Sequence, residues 1–350
     1  MKNTKADIAS ILRFEANESE LKTTLSSNTM DWEWFVKASS LQGVLTTAYC
    51  RLAQKGLLEL LPDDLSKYLQ ELTTINRNRN QSLLNQIKTI SVLFNTHGIH
   101  HVFVKGCALL TSGYYNDYGE RLIGDIDILV DLKHVYKAEC VLKDANYNSQ
   151  EQTLFGKYKD HRHLPRLIHP EHLGAVEIHS KLLRKEKPNL LSVNTILENQ
   201  KIINGVSVPT IEHSLDILIL NHQINDFGYA FKSIDLKVCY DSFVLEQQQT
   251  ETNTFRISKY HRLFYMLRAL YFESSTKDAI KTTAILKTIY TFINKNKIAR
   301  RIFTRLVKLN IRLMTSLVGM KLFVKNKDFR ADVWSHKSEV IQLLKSDDLV

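Results

Sequence analysis

The feature that most constrains the fold is a pair of aspartates inside a short apolar run. Residues 121–130 read Arg-Leu-Ile-Gly-Asp-Ile-Asp-Ile-Leu-Val, so Asp125 and Asp127 alternate with aliphatic residues. This composition predicts a buried strand, on which successive side chains point to opposite faces. The aliphatic residues can therefore fill a core while both aspartates point to the other face. Two carboxylates this close repel each other unless a cation lies there, and Mg²⁺ prefers carboxylate oxygens.

A second strand carries a third candidate acid. In Ala175-Val-Glu-Ile-His179, Val176 and Ile178 take the core face, so Glu177 and His179 share the opposite one. If this strand lies beside the first, Glu177 completes a metal cradle or serves as a base. The alternative, which is commoner for a single carboxylate, is a pair with a surface lysine or arginine. A set of three acids suits metal-assisted phosphoryl or nucleotidyl transfer.

The order of patterns along the chain predicts an α+β protein with three regions. Residues 1–97 show helical spacing of apolar residues, and Gly98 ends this layer. Residues 98–208 predict a small mixed sheet with helices on one face, and residues 209–350 return to helices. In the central region we expect strands at 99–106, 124–130 and 175–179, weaker strands at 152–158 and 163–169, and a helix over 133–145.

Composition indicates an ordinary globular protein with a basic balance. Hydrophobic residues make up 44% of the 350 residues, and the net charge is +10, which favours polyanionic partners. No uncharged apolar stretch has the length of a membrane span, and the first residues lack the pattern of a secretory signal, so we expect a cytoplasmic protein. The four cysteines are widely spaced, which argues against a zinc site or disulfides and favours four buried thiols.

Several further residues could bind a ligand. Lys105-Gly106 follows a predicted strand and precedes a short helix, an arrangement that can hold a phosphate. Four histidines near the weaker strands lack the spacing of a known zinc motif, so ordinary solvated or hydrogen-bonded side chains are the more frequent outcome. They are His161, His163, His169 and His172.

Taken together, these motifs resemble the bacterial nucleotidyltransferases of the DNA polymerase β-like superfamily. The resemblance covers roughly residues 30–245. Its pattern of Lys-Gly, Arg-x-x-x-Asp-x-Asp and Glu-x-His matches this chain at the following positions. They are Lys105, Gly106, Arg121, Asp125, Asp127, Glu177 and His179, and a later family histidine matches His222. His222 is equally consistent with a histidine that lines the cleft and with a buried core histidine.

The resemblance implies a function and a role for each matched residue. Asp125 and Asp127 would hold one or two Mg²⁺ ions, with Mn²⁺ as the alternative ion, and Glu177 would be the third acid. Gly106 and the helix behind it would hold the triphosphate, whose charge Lys105 or Arg121 would offset. The partners would be a nucleoside triphosphate and an acceptor that the sequence does not identify, whether small molecule, saccharide, protein or RNA.

Two other functions stay open on the sequence alone. The first is a non-catalytic module of the same fold that binds a nucleotide or anion. The second is a scaffold or membrane-peripheral protein that acts through its basic C-terminal helices. Residues 281–330 contain thirteen lysines and arginines but one acid, Asp328, a net charge of +12. A helix over 298–320 would carry an apolar stripe with a basic flank, which either packs inward or docks on anionic lipid, RNA or a phosphorylated acceptor.

Overall fold

The computed structural model describes residues 4–14, 18–26, 30–150, 163–184, 187, 189–249, 257–272 and 284–338. These residues belong to two compact units. The first contains the described residues up to 272 except 230–232, and the second contains 230–232 and 284–338. The first unit combines helices with a mixed sheet, which confirms the predicted α+β class. The boundaries placed at residues 97 and 208 remain predictions.

Among the residues that the structure describes, five α-helices precede the sheet. They are α1 (Thr4–Leu12), α2 (Glu18–Ser26), α3 (Trp32–Leu41), α4 (Leu45–Gln54) and α5 (Asp63–Thr96). Helix α5 begins directly after Pro62 with two aspartates in its first turn, where negative charge favours a helix. It ends at Thr96, two residues before Gly98, whose φ of +62° suits glycine. The helical spacing of the N-terminal sequence therefore predicted this region correctly.

The sheet contains five strands in the order β1-β2-β5-β4-β3. They are β1 (His101–Phe103), β2 (Ile126–Val130), β3 (Asn148–Ser149), β4 (Leu167–Ile168) and β5 (Val176–His179). Strands β2 and β5 are parallel, and the other neighbouring pairs are antiparallel. The three clear predicted strands exist but are shorter than expected. The strand predicted over 163–169 is reduced to β4, and the one predicted at 152–158 lies outside the described residues.

Helices α6 (Gly106–Thr111) and α7 (Val135–Asp144) connect these strands, so the helix predicted over 133–145 is confirmed. After the sheet come α8 (Val193–Glu198), the hairpin β6 (Lys201–Ile203) and β7 (Val206–Val208), and α9 (Ile211–Leu220). The first unit continues through a π-helical turn at Asn221–Asn225, α10 (Gly228–Phe231), whose last two residues fall in the second unit, α11 (Leu236–Gln247) and α12 (Lys259–Phe272). The sequence analysis did not predict the β6–β7 hairpin.

Helices cover both faces of the sheet, so the prediction of helices on one face was wrong. On one face, His101 of β1 packs edge-on against Phe94 of α5, with ring centroids 5.2 Å apart. On the other face, Val102 and Leu129 belong to a buried cluster that includes side chains of α8 and α9. The α5 face holds the aliphatic residues of β2 at 126, 128 and 130. The opposite face carries Asp127, because side chains alternate along a strand.

The second unit contains three helices at the C-terminal side, α13 (Ala284–Lys295), α14 (Lys297–Lys325) and α15 (Lys327–Ser335). The predicted helix over 298–320 is therefore part of α14. Its predicted apolar stripe is exposed rather than packed, with Ile298 at 72% and Leu306 at 60% of full exposure. The helix turns a different side inward, since Ile311 is buried.

Two expectations that were drawn from composition, on the cysteines and on membrane spans, can be compared with the structure. Three of the four cysteines are buried and all four are free thiols, but Cys140 is exposed, which corrects the expectation that all would be buried. In the part of the chain that the structure describes, no helix combines the length and the apolar character needed to span a bilayer.

Candidate metal and phosphate site

Strands β2 and β5 bring three potential metal ligands together. The parallel pairing places Asp127 directly opposite Glu177, and both lie on the same face as His179. One oxygen or nitrogen from each residue lies within 4.8 Å of the other two. His179 Nε2 is 2.8 Å from Asp127 Oδ1 and 3.4 Å from Glu177 Oε2. The predicted alternation of core and site residues on these strands is therefore what assembles the cluster.

Lys105 lies directly on this cluster. Its Nζ is 2.5 Å from Asp127 Oδ1. The residue connects β1 to α6 with a φ of +60°, a conformation that few residues other than glycine adopt. This turn directs the lysine side chain toward the beginning of β2, where Asp127 lies. Lys105 therefore supplies a positive charge beside the acids, and its implied role of offsetting the charge of a triphosphate stays a prediction.

Asp125 lies just outside the strand, because β2 begins at Ile126 rather than at the predicted residue 124. Its carboxylate pairs with Arg166, whose Nη2 is 2.6 Å from Asp125 Oδ2 and 3.4 Å from Glu177 Oε1. One guanidinium thus joins two of the predicted acids. Asp125 borders the cluster of Asp127, Glu177 and His179 rather than belonging to it.

The charges around the cluster set different pKa values for its acids. Burial alone would raise the pKa of the Asp127 carboxyl, but Lys105 and His179 hold it below its usual range. Burial is also the largest influence on Glu177, yet hydrogen bonding to His179 keeps its pKa below the ordinary value. The pKa of Asp125 is raised, because burial and repulsion by Glu177 and Asp127 outweigh Arg166. Asp127 and Glu177 are therefore carboxylates at neutral pH.

The geometry of the cluster fits a small divalent ion. Ligands about 2.1 Å from an octahedral ion lie about 3 Å apart when adjacent and about 4 Å apart when opposite. The separations of 2.8 and 3.4 Å between His179 and the two carboxylates are in the adjacent range. Three carboxylates face two cations, Lys105 and Arg166, so the immediate surroundings keep an excess of negative charge when the histidines are neutral. The two carboxylates are ligands that suit Mg²⁺ and Mn²⁺, whereas an imidazole such as that of His179 is a more usual ligand of zinc, iron, nickel or copper.

The loop before β2 approaches Gly106 closely. A Cβ atom at Gly106 would lie 2.8 Å from Ile123 Cδ1, so a side chain there would require movement of Ile123. The neighbouring Cys107 is fully buried, and burial raises the pKa of its thiol to about 12. Its Sγ donates to the carbonyl of Asp125 at 3.2 Å. The Gly106-Cys107 pair therefore has a structural role in fixing the entry to β2, and triphosphate binding by Gly106 stays a prediction.

The structure places Arg121 in a buried ion pair. Its Nη2 is 2.8 Å from Asp241 Oδ2, and its Nε also donates to this carboxylate. Asp241 is 1% exposed and accepts a further hydrogen bond from the hydroxyl of Tyr115, at 2.9 Å. The guanidinium lies near the Lys105-Gly106 turn, since Nη2 would be 3.9 Å from a Cβ at Gly106. Arg121 thus connects the loop before β2 to helix α11.

His222 has a packed environment. It lies in the π-helical turn and is 5% exposed, with Nε2 3.3 Å from the carbonyl of Ser233. A Cβ at Gly228 would lie 2.7 Å from the same nitrogen, so the ring is closely covered on that side. These contacts are those of a buried core histidine, one of the two predicted alternatives, and its predicted role in binding substrate remains untested.

The predicted histidine group divides in two. His163 packs edge-on against His179 with ring centroids 5.0 Å apart, and its Nε2 lies 3.9 Å from Glu177 Oε2. His169 and His172 instead contact each other and Tyr147. His161 lies outside the described residues. His163 therefore borders the acidic cluster, which its spacing in the sequence did not indicate.

Sequence reasoning missed Arg166 as a member of the site. A usable signal was present, because β4 and β5 were both predicted and a hairpin between them brings 166 near 177. The observed pairing of Leu167 with Val176 places Arg166 at this point. The register of two short strands is needed to see this, and the sequence pattern specified it only weakly.

Side chains of α5 hold the loops around the site. The Asn76 amide donates to the carbonyls of Gly119 and Arg121, and the Asn80 amide donates to those of Tyr118 and Arg121. Arg79, which directly precedes Asn80, donates to the carbonyls of Ile123 and Gly124. Further along, Gln86 exchanges two hydrogen bonds with the backbone of Gly174, just before β5. A single helix thus fixes the entry to both site strands.

A cavity lies at the carboxyl ends of these strands. It has a volume of about 280 Å³ and adjoins Asp131, which follows β2, and Ser180, which follows His179. Its wall includes Lys181, Ser192 and Asn194, so the surface offers several hydrogen-bonding groups.

Comparison with known proteins identifies one family. A family model described as an uncharacterised nucleotidyltransferase matches residues 28–272. The matched span contains the whole sheet, the acidic cluster and the loops that α5 holds. No match was found among curated proteins or among solved structures.

Proposed function

Because the chain belongs to the uncharacterised nucleotidyltransferase family, we propose that it transfers a nucleoside monophosphate from a nucleoside triphosphate to an acceptor, with release of pyrophosphate. The single observation that carries the proposal is the cluster of Asp127, Glu177 and His179 next to the Lys105-Gly106 turn. Mg²⁺ is the proposed ion, and Mn²⁺ is the alternative.

The acidic and the basic residues of the site have different proposed roles. Asp127 and Glu177 hold the ion, with His179 beside them and Asp125 at the edge of the set. When bound, the ion would stabilise charge on the attacking and leaving oxygens at the α-phosphate. Lys105 and Arg166 neutralise carboxylates in the free protein and provide the nearest positive charge for phosphate oxygens. This arrangement lets the same two cations serve the empty and the loaded site.

The acceptor is the undetermined part of the reaction. The cavity that follows His179 has both polar and aliphatic side chains in its wall and the volume for a small group such as a sugar or an amino-acid side chain. An acceptor of any of the classes considered above presents a hydroxyl or similar nucleophile. The alternative role for Glu177 is that of a base, which would remove the proton of this nucleophile instead of binding the ion.

The test measures thermal unfolding with each of the four ribonucleoside triphosphates, with and without Mg²⁺ or Mn²⁺. A ligand that binds only the native state raises the melting temperature. We expect a metal-dependent rise with one or more triphosphates, and its loss in Asp127→Asn. Asp144→Asn, an exposed aspartate at the end of α7, is the matched control and should behave as wild type.

Turnover distinguishes the enzyme from a non-catalytic binding module. With the triphosphate that binds, pyrophosphate release and transfer of an α-labelled nucleotide are measured over a panel of small-molecule, saccharide, protein and RNA acceptors. Release that depends on Asp127 supports transfer. Metal-dependent binding without release over this panel favours the binding module. No metal-dependent binding in wild type contradicts the site.

A further inference from the structure

Helix α14 has two apolar sides, and the packing of the second unit uses one of them. The buried Ile311 and the half-buried Phe303 and Val307 form the inner side, toward α13 and α15. Further along this side Met314 and Val318 are 58% and 52% exposed, so its packed part lies in the first half of the helix. At 3.6 residues per turn, a second set of apolar residues falls within an arc of about 100° that excludes this inner side. Its eight members are 53 to 74% exposed. They are Ile298, Ile302, Leu306, Leu309, Leu313, Leu317, Met320 and Val324. We call this set the outer stripe.

All the charged side chains of α14 are basic. Its 29 residues include eight lysines and arginines and no acid. Arg301, Arg305, Lys308 and Arg312 lie along one edge of the outer stripe, and Lys321 lies along the other edge. An apolar stripe bordered by cations along a helix about 43 Å long is the pattern of helices that lie in the interface of an anionic membrane.

We propose that the outer stripe of α14 docks on an anionic lipid surface, with the helix lying flat in the headgroup region and its basic edge contacting phosphate headgroups. Charge complementarity selects this occupant over a second copy of the chain, because two such helices would bring eight positive charges against eight. The apolar stripe selects it over RNA, whose phosphates would satisfy the cations but leave eight apolar side chains in water.

Neighbouring residues extend the same surface. A cleft of about 940 Å³ lies at the junction of α13 and α14, with Phe292 and Ile298 on its apolar wall and Lys295 and Lys297 at its polar part. Phe292 is 61% exposed. Aromatic residues next to lysines are favourable at the boundary between headgroups and acyl chains.

The test is co-flotation of the full chain with vesicles. We expect binding to vesicles of phosphatidylcholine and phosphatidylglycerol at 3:1, weaker binding at high salt, and little binding to pure phosphatidylcholine. The triple variant Leu306→Gln, Leu309→Gln and Leu313→Gln should lower partitioning about tenfold per leucine that loses its apolar contact. Its matched control is Ile75→Gln, Val92→Gln and Ile202→Gln, which are equally exposed apolar residues of the first unit and should have no effect.

A second variant separates the charge from the stripe. Arg301→Gln, Arg305→Gln and Arg312→Gln should weaken binding to the anionic vesicles by about fivefold per residue, roughly a hundredfold together. Lys67→Gln, Lys88→Gln and Lys133→Gln, at exposed positions of the first unit, are the control for net charge. Circular dichroism of every variant verifies that helix content is unchanged.

Three results would overturn the proposal. The first is equal partitioning of the wild type and the leucine variant, which would show that the stripe does not contact lipid. The second is a wild-type dimer that the leucine variant converts to a monomer without vesicle binding, which would make the stripe a contact between copies. The third is binding to RNA, but not to vesicles, that depends on the arginines alone.

Discussion

Replacing Arg121 should destabilise the first unit strongly, because the structure buries its charge with a single acidic partner. The guanidinium and the Asp241 carboxylate share three hydrogen bonds, and both side chains are at least nine-tenths buried. Removing one partner of such a pair leaves an uncompensated buried charge, at a cost of about 3–5 kcal/mol. At about 2 °C per kcal/mol for a domain of this size, Arg121→Met should lower the melting temperature by roughly 6–10 °C.

The double variant tests whether the cost arises from the unpaired charge. In Arg121→Met with Asp241→Leu, both charges are gone and apolar groups of similar volume replace them, which is often neutral or stabilising. We therefore expect the double variant to recover most of the loss, as measured by thermal unfolding followed by circular dichroism. Arg77→Met is the matched control, since the Arg77–Asp117 pair is one-third exposed and should contribute at most about 1 kcal/mol.

Additive losses in the double variant would refute this reasoning, as would a single-variant shift no larger than that of Arg77→Met. The double variant also addresses the predicted contact between Arg121 and a triphosphate. It removes the guanidinium while keeping the fold, so a normal metal-dependent response to nucleotide would argue that Arg121 acts through the position of the loop.

Three further predictions concern the frame of the site. Gly174→Ala should cost about 1–3 kcal/mol, because a Cβ there lies within 3.0 Å of Leu83, Gln86 and Ile126, whereas Gly124→Ala, with open space around it, should leave the melting temperature unchanged. Burial lowers the pKa of His101 below 6.5, so stability should be complete above this pH and decline below it as the unfolded chain takes up the proton first. His101→Phe should flatten that decline in denaturation measured from pH 5 to 8, and an unchanged slope would exclude His101 as its source. A chelator should shift the melting temperature by little, since Lys105 and Arg166 already offset two of the three carboxylates, and a fall of several degrees would instead indicate a structural metal.

The acidic cluster could be predicted from sequence because it depends on local alternation. The period of two places Asp125 and Asp127 on one face of the segment 124–130, and Glu177 and His179 on one face of the segment 175–179, whatever the rest of the chain does. The parallel pairing that puts Asp127 opposite Glu177 is a non-local fact. The sequence supported only the supposition that the two strands lie side by side, and the resemblance implied Glu177 as the third acid. Local pattern and family resemblance together therefore singled out Asp127 and Glu177, which the structure brings together with His179, whereas Asp125, the other predicted ligand, borders this cluster. The roles of these residues stay predictions.

The partners of these residues could not be predicted in the same way. Arg121 matched a family motif, but the carboxylate that holds it is 120 positions further along the chain. Arg166 joins Asp125 to Glu177 only because of the register between two short strands. The charge of a side chain is visible in the sequence, whereas the group that neutralises it depends on tertiary packing.

The C-terminal helix shows the same limit for apolar surfaces. The spacing of leucines and isoleucines predicted both the helix and its stripe correctly. It did not predict which side packs, because α14 carries apolar residues on more than one side and the inner side includes Ile311. Amphipathic spacing defines a face, and the neighbouring helices decide whether that face is covered.

The hydrogen bonds of α5 have a consequence for how this site can change. Asn76, Arg79 and Asn80 all donate to main-chain carbonyls of the loop before β2, and a carbonyl is the same whichever residue carries it. Positions 118, 122 and 124, where the side chain is exposed or has open space, can therefore accept new residues without releasing the loop. A substitution at Asn80, by contrast, removes two of the bonds at once. Because α5 holds the loop through its main chain, the site keeps its position when exposed residues of the loop change. The exposed rim of the loop is therefore the part where new specificity can be selected or engineered at little cost in stability.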